Sequence, residues 1–253
     1  MGAVLFSVQI YTDFSGYSDI AIGTGRLFGF NLKQNFAFPY FSRDVAEYLR
    51  RWHISLATWL RDYLYIPLGG SKGTRSNKIR NIFAIFLISG LWHGANWTFI
   101  CWGALYALYY LPLLISNKNR INLDNVAEGK LLPSFRDFIN IGVTFLQGAL
   151  ARVFFRSKSV SDAFSYIGKI FSLSLFSIPS IYPAIAQLSL NTLCLFIFVF
   201  FSIEWIQRDK QHALQIEMIK IPRMVRWALY SFIIFMVGMY MPTGERPFIY
   251  FQF

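Results

Sequence analysis

Apolar residues along this chain gather into long runs separated by short basic stretches. Six runs approach the length of a membrane span, at approximately residues 3–25, 81–99, 99–115, 138–155, 184–206 and 225–241. A helix needs about 20 predominantly apolar residues to cross a hydrocarbon core of ~30 Å, and helices satisfy their own backbone hydrogen bonds there. The pattern therefore predicts an all-α, polytopic transmembrane helical bundle, with residues 1–253 forming one membrane domain. The second and third runs together cover 81–115, which is short for two full spans and a turn. They are expected to be tilted, short or re-entrant, with the break near Gly94. The apolar stretch 170–183 is interrupted by Pro179 and Pro183 and is expected at the interface, since proline breaks helices.

Residues 44–65 follow a different period. Leu49, Trp52, Leu56, Trp59, Leu60 and Tyr63 recur at helical spacing, while Arg50, Arg51, Thr58, Arg61 and Asp62 fall largely on other faces. This predicts an amphipathic helix lying in the membrane interface, ended by IPLGG at 66–70.

Composition agrees. Apolar side chains make up 55% of the 253 residues and charged ones 15%, against about 25% charged in soluble domains. The net charge of +11 would suggest nucleic acid in a soluble protein. Here the Lys and Arg lie between apolar runs, which fits loops at an anionic membrane face, so no nucleic-acid partner is expected. Nine Lys/Arg in 31–80 (Lys33, Arg43, Arg50, Arg51, Arg61, Lys72, Arg75, Lys78, Arg80) stand against Asp44, Glu47 and Asp62. That bias puts 31–80 on the cytoplasmic side; 116–137 and 207–224 follow it inside, and the tail 242–253 faces out. Cys101 and Cys194 each sit in an apolar run without metal-ligand spacing. They read as small buried apolar residues, with neither disulfide nor metal. The N-terminus lacks the basic n-region and cleavage site of a signal peptide.

Candidate chemistry concentrates in 81–115. Counting from Asn81, His93 lies about 18 Å into the run at 1.5 Å per residue. An ionisable group at that depth usually faces a cavity or a partner. Ser89, Asn96 and Trp97 would share its helical face, with Gly90 and Gly94 giving room for close approach. The alternative is a histidine bonded to a neighbouring helix. His53, within RRWHISL, would share a face with Leu49, Leu56, Ala57 and Leu60, where a lone histidine reads more readily as a packed residue. His212 falls in a polar loop and is expected to be solvated. Asp13, Ser15, Ser18 and Asp19 sit in apolar surroundings, which suggests a pathway or a buried pair. They read somewhat better as a broken helix whose polar groups satisfy exposed backbone, with Gly16, Gly23 and Gly25 for tight packing. There is no GxSxG, P-loop or GxGxxG motif.

Four stretches together carry a resemblance: QIYTDFSGYSDIAIG, PYFSRDVAEYLRRWHISLATWLRDYLYIPLGGS, GLWHGANWTFICWGALYAL and the closing FIYFQF. They resemble the membrane-bound O-acyltransferase family, in particular its bacterial alginate O-acetyltransferase and teichoic-acid D-alanyl transferase branch. The resemblance covers essentially the whole chain, most tightly 9–112. It implies a multi-pass enzyme of the bacterial inner membrane with a water-filled funnel. The family's WHG histidine falls on His93 and its RWH histidine on His53. In the family this homology begins midway, so the upstream spans are expected to be absent from this chain and to be needed for activity.

The implied chemistry is transfer of an acyl group, acetyl in the first instance, from an activated thioester to a hydroxyl. A neutral imidazole with a pKa of about 6.5 suits a general base, which assigns His93 to that role and His53 to orienting donor or acceptor. The basic 31–80 face would hold an anionic donor, acetyl-CoA or another acyl thioester, including an acyl carrier protein. No bound cofactor is implied. The acceptor would be an extracytoplasmic polysaccharide or cell-wall polymer, reached directly or through a secreted acyltransferase partner. Two rivals from other classes are a polytopic transporter, which would more often show paired broken helices, and a non-catalytic remnant.

Overall fold

The computed structural model describes residues 1–172, 190–215 and 221–241. The proline-interrupted stretch 170–183 falls almost wholly outside them, as do the tail 242–253 and its FIYFQF motif. All regular structure among the described residues is helical: α1 (Gly2–Leu27), α2 (Val45–Arg51), α3 (Ile54–Leu60), α4 (Arg75–His93), α5 (Trp97–Ile115), α6 (Phe135–Arg156), α7 (Val160–Ile170), α8 (Leu190–Ile206) and α9 (Arg223–Tyr240).

Helix starts follow local chemistry. Asp44, Thr74, Asn96, Ser134 and Ser159 each cap a helix by accepting a backbone N–H from its first turn. The Thr74 cap explains why α4 begins at Arg75, six residues before its apolar run. With this polar first turn, 75–115 accommodates two helices of 19 residues each, and the break falls at 94–96 as the glycine suggested. Among the described residues two helices, α5 and α6, are long and apolar enough to cross a membrane; α8 is apolar but shorter. Helices thus lie at positions similar to the six expected spans, but among the described residues only α5 and α6 meet both length and apolarity, so six spans are not established. Large apolar side chains stay exposed along α6 (Phe135, Phe138, Val143, Leu146) and α9 (Met224, Trp227, Ile234, Phe235). Apolar surface on this scale needs lipid or a partner.

The stretch 44–65 is not one amphipathic helix. It breaks at Trp52–His53 into α2 and α3, followed by a single wide π turn over 61–65. The cause is tertiary. Segment 35–37 lies against the break, where the Ala37 N–H donates to the Arg51 carbonyl and the Ile54 N–H to the Asn35 carbonyl, each at 3.0 Å. His53 adopts φ 46° there, a left-handed conformation uncommon outside glycine. Conversely, α1 is unbroken despite its polar residues; the Thr12 hydroxyl simply donates back to the Val8 and Gln9 carbonyls. Among the described residues a Cβ on Gly16 or Gly23 would meet nothing within 4 Å, whereas one on Gly25 would crowd the Leu32 side chain at 3.1 Å, so of the three glycines only Gly25 packs tightly there. Cys194 is exposed and Cys101 half-buried, unlike the fully buried pair expected. Helix α7 follows α6 after a turn and was not anticipated; its strongly amphipathic sequence is short.

The core lies where α1, α2, α5 and α6 meet. Tyr11, Phe36, Tyr40, Tyr48 and Tyr106 are buried together, with Tyr48 nearly parallel to Tyr106 (centroids 6.0 Å apart) and stacked on Trp52 at 5.6 Å. The buried Arg152 guanidinium lies 4.9 Å from the Trp52 ring centre and donates to the Tyr48 hydroxyl at 2.5 Å. Helices α4 and α5 form an antiparallel hairpin of close backbone contact. A Cβ on Gly90 would land on the Phe99 carbonyl, and one on Gly103 on the Phe86 carbonyl. Neither carbonyl can move without shifting its helix. Gly103→Ala is therefore expected to cost about 1–3 kcal/mol, read as earlier loss of the monodisperse peak when the detergent-solubilised protein is heated before size exclusion. Unchanged heat resistance would show that the hairpin is looser than its geometry indicates.

Candidate active site

His53 and His93 come from different elements and line one cavity of about 830 Å³. His53 is placed by the break between α2 and α3. His93 is the last residue of α4, so Asn96 and Trp97 belong to the next helix and do not share its helical face. Ser89, one turn earlier on α4, lines the same cavity.

Aromatic rings fix both imidazoles. His93 meets Trp102 of α5 at 5.0 Å, Phe155 of α6 at 5.1 Å and its neighbour Trp92 at 4.9 Å. His53 meets Phe14 of α1 at 4.8 Å and the same Trp92 at 6.1 Å. Trp92 thus touches both histidines. Trp52, Trp102 and Tyr106 form much of the remaining wall, and Arg50, Arg61, Lys78 and Arg120 also line the cavity. Two of these cations are engaged: Arg50 donates to the Asn119 and Asn122 carbonyls, and Arg61 pairs with Asp62 at 2.7 Å. Lys78 and Arg120 have no carboxylate partner among the described residues. The cavity therefore combines an imidazole-bearing aromatic interior with cationic side chains that could meet an anionic ligand.

Burial without a charge partner pushes His53 down to about 4 from an ordinary 6.5. The imidazole is neutral at neutral pH. The unfolded chain takes up this proton first, so folding stability falls as pH drops from about 6.5 toward 4, and this contribution changes no further below that. His53→Asn retains a residue that tolerates positive φ and removes the titration. The variant is expected to show a smaller drop in heat resistance between pH 7 and pH 4.5 than the unsubstituted protein, by several degrees. Equal drops would mean His53 is solvated when folded.

The loop after α5 lies beside the cavity because of buried charge on α2. Glu47, 1% exposed, pairs with Arg43 at 3.1 Å and Arg51 at 3.0 Å. Those arginines reach outward: Arg43 to Asp124 at 2.9 Å, Arg51 to the Asp124 carbonyl and the Asn125 side chain. Hydrogen bonding to Arg43 holds the Asp124 carboxyl below its usual range. Arg208 fastens the loop's far end through the Val126, Ala127 and Lys130 carbonyls.

His212, expected in solvent, is instead drawn against α1, its ring 3.6 Å from Asp19. Asp13 stays apart from this pair. Sequence reasoning missed Tyr48, Trp102, Tyr106, Arg152 and Glu204. Trp102, Tyr106 and Tyr110 recur every four residues on α5 and all face the cavity, a periodicity that could have marked that face. Nothing local pairs Arg152 with Tyr48.

Residues 1–118 match the membrane-bound O-acyltransferase (MBOAT) family. The chain is 41% identical to a protein named probable alginate O-acetylase from Azotobacter vinelandii, over 77% of this chain and 37% of that protein. A second of that name, from Pseudomonas syringae pv. tomato, is 44% identical over 68% of this chain and 31% of its own length. A peptidoglycan O-acetyltransferase of Helicobacter pylori is 40% identical over 64% of this chain and 29% of its own. The chain spans about a third of the length of the curated relatives it matches.

Proposed function

The chain belongs to the membrane-bound O-acyltransferase family, and from that premise we propose that it takes part in moving an acyl group, acetyl in the first instance, from a thioester to a hydroxyl of an extracytoplasmic polysaccharide or cell-wall polymer. The observation that supports this reading is the meeting of His53 and His93 in one aromatic cavity that also carries Lys78 and Arg120. The proposed setting is a multi-pass protein of the bacterial inner membrane, with the Lys/Arg-rich face toward the cytoplasm.

In this proposal His93 is the general base. The acceptor hydroxyl gives its proton to the imidazole as its oxygen attacks the thioester carbonyl. The tetrahedral intermediate then collapses, the C–S bond breaks, and the leaving thiolate takes the proton back from the imidazolium. The catalyst ends as it began. Trp102 and Phe155 hold the ring in place, since the benefit of a base depends on position before basicity. His53, neutral and beside Trp92, is assigned to orient the thioester or the acceptor. Lys78 and Arg120 are assigned to the anionic part of the donor, a coenzyme A thioester or a carrier-bound phosphopantetheine. A secreted acyltransferase is a further proposed partner on the acceptor side. No resident cofactor or metal enters the scheme.

The test uses membranes of cells that carry the protein. Supplied with acetyl-CoA radiolabelled in its acetyl group, they are expected to build up base-labile label on extracytoplasmic polymer, absent when the gene is deleted and restored when it is returned. Label that never leaves the thioester pool, or transfer unaffected by the deletion, would refute the proposal.

A further inference from the structure

A second cavity, of about 700 Å³, lies away from the histidine pair, where the C-terminal parts of α1 and α8 meet the start of α9. Its chemistry is of another kind. Glu204 lines it and is 4% exposed. Its Oε1 accepts the Tyr11 hydroxyl at 2.5 Å, while Oε2 is buried without a hydrogen-bond partner among the described residues. Asp19 lines the same space, its carboxylate 3.6 Å from the His212 ring, and His212 Nε2 is likewise buried and unpartnered among the described residues. Arg26, in the last turn of α1, and Arg226, in the first turn of α9, complete the lining on the charged side.

A buried carboxylate oxygen with no donor is costly, and most such atoms have a partner. The missing partner must supply N–H or O–H. Metal is a poor fit, because no group of three or more His, Cys, Asp or Glu among the described residues could hold an ion. A cationic N–H donor suits best. Two carboxylates face the cavity, and Phe36, Phe200 and Tyr230 present rings around them, the surroundings that favour an ammonium group. The two arginines point to an anion on the same ligand, since guanidinium matches phosphate.

We propose that this cavity binds a primary ammonium group carried beside a phosphate, the chemistry of an ethanolamine headgroup. The ammonium donates to Glu204 Oε2 and faces Asp19; the phosphate meets Arg26 and Arg226. The ammonium offsets the buried Glu204 carboxylate, and the phosphate offsets one of the two guanidinium charges at the helix ends. The helix ends that frame the cavity carry Arg26, Arg223 and Arg226, as a headgroup layer would require. The site concerns lipid or small-molecule binding and is independent of the histidine cavity.

The experiment is native mass spectrometry of the purified full chain, offered equal amounts of phosphatidylethanolamine, phosphatidylcholine and phosphatidylglycerol. Phosphatidylethanolamine is expected to be retained at least about tenfold over the others, a difference of ~1.4 kcal/mol: choline has no N–H to give, and glycerol has no cation. Glu204→Gln, with its size-exclusion profile intact, is expected to erase the preference. Soluble phosphoethanolamine separates the sources. Binding of it that depends on Glu204 and matches the lipid supports the chemistry with a soluble ligand; retention of the lipid alone supports the bilayer as source. Should Glu204→Gln not fold, Arg226→Gln replaces it, with loss of phosphatidylethanolamine expected. Equal retention of the three lipids by the unsubstituted protein, no binding of any, or a preference that survives Glu204→Gln in folded protein overturns the proposal.

Discussion

Replacing His93 by alanine is expected to lower acyl transfer by about 10²–10⁴-fold, the range a positioned general base contributes, while leaving membrane insertion and yield unchanged. The expectation rests on position. His93 ends α4 against Trp102 and Phe155, in a cavity it shares with His53. Alanine removes the imidazole nitrogen that would accept the acceptor's proton and leaves the surrounding rings in place. Asparagine is the sharper test, because its polar side chain is of similar reach and cannot take up a proton near neutral pH. Both variants should be equally defective if proton transfer is the role, whereas asparagine should recover much of the activity if His93 only fills space or donates a hydrogen bond. The measurement is transfer of labelled acetyl groups in membranes, normalised to protein content. Near-normal turnover in His93→Ala would sink the assignment.

The largest expected effect on folding belongs to Glu47→Ala. Removing one partner of a buried ion pair leaves the other charge without compensation, at a cost of about 3–5 kcal/mol. Here two arginines lose that partner at once, with side chains only 8% and 15% exposed. The damage should also be directed. Arg43 and Arg51 hold the loop around Asp124 and Asn125, and Asn117, Asn119 and Arg120 of the preceding stretch line the histidine cavity. Glu47→Ala is therefore expected to lower heat resistance sharply and to expose bonds near residues 117–127 to protease before the rest of the chain. Glu47→Gln, which keeps the shape and one acceptor oxygen, should lie between. Protease resistance of the loop unchanged in Glu47→Ala would show that Arg50 and Arg208 suffice to hold it.

Much of the candidate site was legible from local pattern. The apolar runs located most of the long helices and Gly94 the break that follows His93, whereas the caps at Thr74 and Asn96 emerged only with the structure. An ionisable residue next to glycines inside an apolar run singled out His93 before any neighbour was known. His53 was legible only as part of a motif, because its conformation depends on Asn35 and Ala37, well over a dozen residues earlier. The continuous helix expected over 44–65 failed for that reason. Periodicity describes the preference of one segment, and here the preference yields to hydrogen bonds offered by another. His212 shows the same limit, since a polar neighbourhood predicts solvent unless a distant Asp19 is waiting.

The sequence by itself determined that this chain is helical and needs an apolar medium, where most helices run, and which histidines carry the chemistry to consider. Those properties follow from the nearest residues in the chain: side-chain hydrophobicity, capping and the spacing of three to four residues that defines a helical face. Only the tertiary structure decided that His53 and His93 share one cavity, that Glu47 anchors the loop beside it through two arginines, and that Arg152 lies against the core aromatics. It also decided that Glu204 stands over a second cavity with an oxygen unpaired among the described residues. These depend on which helix faces which, and that is settled by the summed packing of side chains far apart in sequence, a quantity to which no single stretch of the chain holds more than one side.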